Sequence, residues 1–248
     1  MRSAFRHLFL VIAVVALAAF GSGAAMAAMI ASPPGPAVAG ITPSNGELVG
    51  IAAPVTVRFG ADVTDRSRAE RSLVVGTRLN GTFSWNGDRE LRWTPSELLP
   101  ADTLIGVQFG RARTEFRTNA GVSGEGDLSA HTFTLSIGGQ VARVMPASYG
   151  KPGWETPTGT FPVLEKARSV VFDSRTIGIP LSSPEGYVIN GEYAERLTWS
   201  GVYIHSAPWS VDSQGNSNVS HGCINLAPDD AAWVFDTINV GDPVYLHW

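Results

Sequence analysis

The sequence predicts a mainly β chain in two parts, a small antiparallel sandwich followed by a second β-rich region with one late helix. Three observations predict it. Short runs that alternate apolar and polar residues are separated by turn signals, a glycine-rich break falls near the middle, and only one segment after that break carries a helical repeat.

The N-terminus comes first because it sets the compartment. Arg2 and Arg6 precede an apolar run from Leu8 to Phe20, and small residues end in Ala25-Met26-Ala27. A positive end, a short apolar run and an A-x-A site form a secretory signal over residues 1–27. The alternative is an uncleaved anchor, since Leu8 to Ala28 approaches the roughly 20 apolar residues that span a bilayer. Gly21-Ser22-Gly23 interrupts that run and favours cleavage. Residues 28–40, rich in proline, glycine and alanine, read as a flexible tether.

Cleavage removes two arginines and no acid, so the net charge of −4 becomes −6. Nucleic acid is not an expected partner, because its binding calls for a basic stripe. With 44% hydrophobic and 16% charged residues the chain can build a packed core. Its remaining length of about 220 residues suits one large or two ordinary domains.

From Ile41, strands are expected at Val55–Phe59, Thr82–Trp85, Leu91–Thr94, Leu104–Phe109 and Thr114–Arg117. Asn80-Gly81, Asn86-Gly87-Asp88 and Leu99-Pro100 mark turns between them. This spacing indicates a small sandwich over residues 41–120 with no constellation of titratable groups, hence a spacer or positioning module. Asn119 to Gly126, rich in glycine, reads as a link. Beyond it, Thr132–Ile137 and Gln140–Met145 flank Gly138-Gly139, a hairpin signal. Further strands are expected at Ser169–Phe172, Gly186–Ile189, Val202–His205 and Val244–Trp248. Ala231, Val234, Phe235 and Ile238 recur at helical spacing after Pro228, which suits the first turn. The residue before it is Ala227, where a side-chain cap would be preferred.

Cys223 is the one cysteine of the chain. An exported protein usually pairs its cysteines, so a single one is an intermolecular bridge or a free reactive thiol. It lies in Ser220-His221-Gly222-Cys223-Ile224-Asn225, and His205 ends the apolar run Val202-Tyr203-Ile204. An imidazole within reach of a thiol can take its proton, and a glycine beside the thiol permits a tight turn with backbone N–H groups facing an oxyanion. An inert buried thiol is the plain alternative. Zinc is a further one, with His205, His221 and Cys223 as ligands. His-x-Cys lacks the usual ligand spacing, and no carboxylate nearby in sequence is an obvious fourth ligand, so no metal or cofactor is expected.

Taken together, His205-Ser206-Ala207-Pro208-Trp209-Ser210, Gly215 and Ser220-His221-Gly222-Cys223-Ile224-Asn225-Leu226 resemble the signature of the L,D-transpeptidases, whose catalytic domain is the YkuD type, and the mycobacterial enzymes most of all. Met145-Pro146-Ala147-Ser148, Thr156-Pro157-Thr158-Gly159-Thr160-Phe161, Asp173 to Gly178 and Trp199-Ser200-Gly201 extend the likeness across residues 122–248. The resemblance implies a YkuD-type β-sandwich catalytic domain there, and an immunoglobulin-like domain in the preceding sandwich.

It further implies peptidoglycan stem peptides as partners, a tetrapeptide donor and a diaminopimelate amine acceptor joined by a 3→3 cross-link, and carbapenem β-lactams as inhibitors. Cys223 is then the nucleophile, His205 the general base, and the Ser206 carbonyl the group that orients it. His221 supports the site, and the Gly222 and Cys223 amides contribute to an oxyanion hole. Tyr187 matches a flap tyrosine over the donor groove, and Ser200, Gly201 and Asn225 match substrate-contacting positions. Trp209 is expected to pack beneath the loop. An L,D-carboxypeptidase and a non-catalytic wall-binding module with an inert thiol are the competing readings.

Overall fold

The computed structural model describes residues 37–248. The expected signal segment and residues 28–36 of the expected tether lie outside the described residues. No helix among the described residues is long and apolar enough to cross a membrane.

The first half contains β1 (Val38–Thr42), β2 (Leu48–Val49), β3 (Val55–Phe59), α1 (Arg66–Ser72), β4 (Leu73–Val75), β5 (Gly81–Asn86), β6 (Glu90–Pro95), β7 (Leu104–Phe109) and β8 (Ala112–Thr118). Two four-stranded sheets, in the orders β1-β3-β6-β5 and β2-β8-β7-β4, enclose one core. Alternation builds this core: Ile105, Val107 and Phe109 of β7 are buried with Phe116, while Leu104, Gly106 and Gln108 between them face outward. Two details differ from the sequence expectation. The pairing of β2 with β8 is parallel, and β1 begins at Val38, inside the stretch read as tether. Helix α1 went unread because Ala69 is its one buried residue, so it has no apolar stripe; its signal is the Asp65 cap, whose Oδ1 accepts from the Arg68 N–H at 2.9 Å.

The second half contains β9 (Val122–Asp127), β10 (Thr132–Ile137), β11 (Gln140–Ser148), β12 (Gly159–Pro162), β13 (Glu165–Asp173), β14 (Val188–Arg196), β15 (Tyr203–Ser206), β16 (Ile224–Leu226), α2 (Pro228–Thr237) and β17 (Pro243–His247). Its nine strands run β12-β17-β9-β10-β11-β16-β15-β14-β13. β11 joins the two wings, pairing with β10 over Gln140–Pro146 and with β16 at Ala147 and Ser148. The wings and α2 bury Phe133, Leu135, Met145, Tyr149, Ile204, Leu226 and Val234 together. As expected, α2 starts on Pro228 after an Ala227 that makes no side-chain cap bond.

The stretch read as a glycine-rich link is instead β9, between β10 and β17 within the sheet. Its glycines serve packing. A Cβ on Gly124 would lie 2.7 Å from the Phe133 ring, and one on Gly126 2.7 Å from Leu246, so the rings and methyls of the core fill the space side chains would need.

The halves are joined tightly. The N–H groups of Gly50 and Ala52 donate to Val240 and Gly241 at 2.8 and 2.7 Å. Asn119 Nδ2 donates to both oxygens of buried Asp242 at 2.9 and 2.8 Å, while its Oδ1 accepts from Gly121 and Val122.

Candidate active site

The thiol and the imidazole, eighteen residues apart in sequence, face one cavity because β15 and β16 pair in parallel, Ile204 beside Ile224 and His205 beside Asn225. The crossover between them includes a 3₁₀ segment, Pro208–Ser213, that carries Trp209 and Ser210 to the same face. The result is a cavity of about 290 Å³ lined by Phe172, Tyr187, His205, Trp209, His221, Cys223 and Asn225, among others. A second depression of about 370 Å³ on the sandwich is lined by no cysteine, histidine or serine.

His205 is 4% exposed. Its Nδ1 lies 2.8 Å from the Ser206 carbonyl, an acceptor only, so Nδ1 carries the hydrogen and Nε2 is left as the base. The ring sits between Phe172, at 4.6 Å, and Trp209, at 5.8 Å. Burial pushes its pKa down to about 4, with the Ser206 carbonyl pulling weakly the other way.

Cys223 is half-buried, and its Sγ–H donates to the Gly201 carbonyl at 3.6 Å. Burial pushes the thiol up to about 11, offset in part by the Tyr203 N–H. The resting pair is therefore neutral thiol and neutral imidazole, and the proton moves during attack instead of beforehand.

The thiol loop is held by two hydroxyls that sequence reasoning missed. Ser220 Oγ donates to the Cys223 carbonyl at 2.7 Å and accepts from the Gly222 N–H at 3.1 Å. Thr156 Oγ1 donates to the Gly222 carbonyl at 3.0 Å and accepts from Gly150. Gly222 adopts φ +113°, which only glycine takes readily. The Gly222 amide, expected in an oxyanion hole, is in this arrangement bonded within its own loop.

The other expected residues divide. His221 Nε2 pairs with Glu185 Oε2 at 2.8 Å, and Tyr187 and Trp154 each pack against its ring at 5.3 Å. Tyr187 lies in the loop before β14, not within the strand expected at Gly186–Ile189, because its N–H and carbonyl both bond to Ser174. A Cβ on Gly186 would meet Pro180 and Leu181, which keeps that loop tight. Burial, then the neighbouring Cys223 and Asp173, raise the Tyr187 phenol. Asn225 is buried and donates to Ser210 Oγ at 3.0 Å. Gly201 offers its carbonyl to the thiol, whereas exposed Ser200 bonds to Thr198 and lines no part of the cavity. Trp209, expected beneath the loop, is 50% exposed and lines the cavity. No cluster of three or more His, Cys, Asp or Glu able to hold a metal occurs among the described residues.

This architecture is shared with known proteins. Residues 125–246 match the L,D-transpeptidase catalytic domain, YkuD, and residues 24–112 match a bacterial Ig domain. The chain is 49% identical over 247 residues to L,D-transpeptidase 1 of Mycobacterium tuberculosis, covering 98% of each. An L,D-transpeptidase structure from Mycobacterium smegmatis superposes with a TM-score of 0.83 at 53% identity, covering 87% of this chain and all of that one. The structure of LdtMt1 in complex with imipenem superposes at 0.80 with 50% identity, covering 86% of this chain and 100% of that one. An immunoglobulin-like domain followed by a catalytic domain of this type, with a cysteine and a histidine facing one cavity, makes the chain a member of the L,D-transpeptidase family.

Proposed function

We propose that the protein forms 3→3 cross-links between diaminopimelate residues of peptidoglycan through a thioester on Cys223. The observation that carries the reading is the pairing of β15 with β16, which sets His205 and Cys223 on one cavity with His205 Nε2 free to accept a proton. Cys223 Sγ attacks the carbonyl between diaminopimelate and the terminal D-alanine of a tetrapeptide stem while Nε2 takes the thiol proton. That proton passes to the leaving nitrogen, the C–N bond breaks, and D-alanine departs. The diaminopimelate amine of a second stem attacks the thioester, Nε2 takes its proton, and the thiol is restored.

Ser206 orients the base through its carbonyl. The Cys223 amide supports the oxyanion, joined by the Gly222 amide once it exchanges Ser220 Oγ for it. Tyr187 covers the acyl-enzyme against water, His221 and Asn225 line the substrate path, Gly201 holds the resting thiol through its carbonyl, and Ser200 beside it meets substrate outside the cavity. One related structure holds imipenem, which supports acylation of Cys223 here by the carbapenem class, and another holds a faropenem-derived adduct, from a related β-lactam. The signal-like N-terminus supports export of residues 28–248 to the cell wall, where residues 41–120 space a catalytic domain of residues 122–248 from the tether.

The test is incubation of the purified protein with a disaccharide-tetrapeptide, read by mass spectrometry. A dimer of two tetrapeptide units less one D-alanine is expected. Tripeptide alone would make the protein an L,D-carboxypeptidase, and unchanged substrate from folded protein a wall-binding module.

A further inference from the structure

One carboxylate near the thiol is held in a way the cross-linking chemistry does not require. Glu185 Oε2 accepts from Lys151 Nζ at 2.5 Å and pairs with His221 Nε2 at 2.8 Å, so two donors from different loops converge on a single oxygen. Lys151 and His221 keep the Glu185 carboxyl below its usual range, so it is ionised and Nε2 supplies the hydrogen.

The three partners differ in how they are held. The Lys151 and His221 side chains are 25% and 17% exposed, and Glu185 is 49% exposed. The donors have anchors of their own: the Lys151 N–H donates to the Ser220 carbonyl at 3.0 Å, and the His221 ring packs on Trp154. Glu185 arrives from the loop between Ile177 and Val188, two residues before Tyr187. The donors are wall, and the carboxylate is the outermost member.

We propose that Lys151 and His221 form the recognition site for the free carboxylate at the C-terminus of the donor stem, and that Glu185 fills this site from within the chain and yields it to substrate. The inference rests on the transpeptidase reading for the identity of that carboxylate. The chemistry fits on two counts. A stem that loses one terminal residue carries its carboxylate three bonds from the attacked carbonyl carbon, so its recognition belongs beside the nucleophile, and His221 is two residues from Cys223 on the same cavity. Exchange of carboxylate for carboxylate also leaves no cation unpaired, while the displaced Glu185 is already half in solvent.

The test compares a tetrapeptide ending in D-alanine with the same peptide ending in D-alaninamide, for wild type, Lys151→Met and Glu185→Gln. Charge-assisted hydrogen bonds of about 1.5–3 kcal/mol correspond to a preference for the acid of roughly 10- to 100-fold in wild type. Lys151→Met is expected to lose most of that preference through KM. Glu185→Gln, freed of the internal competitor, is expected to lower KM for the acid several-fold and leave the amide unchanged. A latch that merely holds the loop closed would instead raise KM for both peptides in both variants, and that result, or an acid preference intact in Lys151→Met, overturns the proposal. If Lys151→Met does not fold, the sign of the Glu185→Gln effect decides alone. Kd values for both peptides on Cys223→Ala protein separate the two readings. Acid preference in binding without D-alanine release from wild type would sink the transpeptidase and keep the carboxylate site. Equal binding of acid and amide with release intact would do the reverse.

Discussion

The Nδ1–H of His205 donates to the carbonyl of Ser206, its own neighbour in β15, at 2.8 Å. A backbone oxygen thus does what a carboxylate does in many triads, fixing the tautomer without adding charge. With no anion beside it and two aromatic rings around it, only the Ser206 carbonyl favours an imidazolium, and burial outweighs it and keeps His205 neutral.

His205 titrates at about 4, below the ordinary 6.5, so its basic form persists on acidification. The acid limb of kcat/KM is expected well below pH 6, and a limb at 6.5 or above would refute the neutral-pair description.

The thiol should behave correspondingly. With Cys223 at about 11 and no ion pair at rest, alkylation by iodoacetamide should climb with pH through the alkaline range. A rate already flat from pH 6 upward would mean a resting thiolate.

Removing one wall of the imidazole slot should wet it. Phe172→Ala or Trp209→Ala is expected to move the acid limb upward toward 6.5, because each ring excludes water from His205. An unmoved limb in both variants would show that the depression has another cause.

Carbapenem acylation is predicted to add one drug mass to wild type in intact-mass spectra and none to Cys223→Ala. A chelator should leave turnover unchanged; loss with EDTA that zinc restores would revive metal chemistry at His205, His221 and Cys223.

Asn119→Ala should destabilise the fold by about 1–3 kcal/mol, since it strips a partner from a buried carboxylate. Burial raises Asp242 to about 6, above its unfolded value, so its contribution is present below 3.8 and is lost as pH rises through 6. The loss in Asn119→Ala, followed by thermal melts, is therefore expected to be larger at pH 8 than at pH 5.

Local pattern carried much of this protein. Alternation at Val55–Phe59 and Leu104–Phe109, the Gly138-Gly139 turn and the spacing of Ala231, Val234 and Ile238 are short-range signals, because pleat and helical repeat act over a few residues. The motifs at His205 and Cys223 were likewise contiguous enough to read. Tertiary structure alone decided that Gly124 and Gly126 sit in a buried strand, since only the Phe133, Tyr149 and Leu246 side chains packed against them distinguish close packing from flexibility. It alone decided that Glu185 meets Lys151 and His221, and that Phe172 and Trp209 enclose His205. Those contacts join loops and strands far apart in the chain, and their energies depend on distances and on exclusion of water, quantities that exist only once the chain has folded.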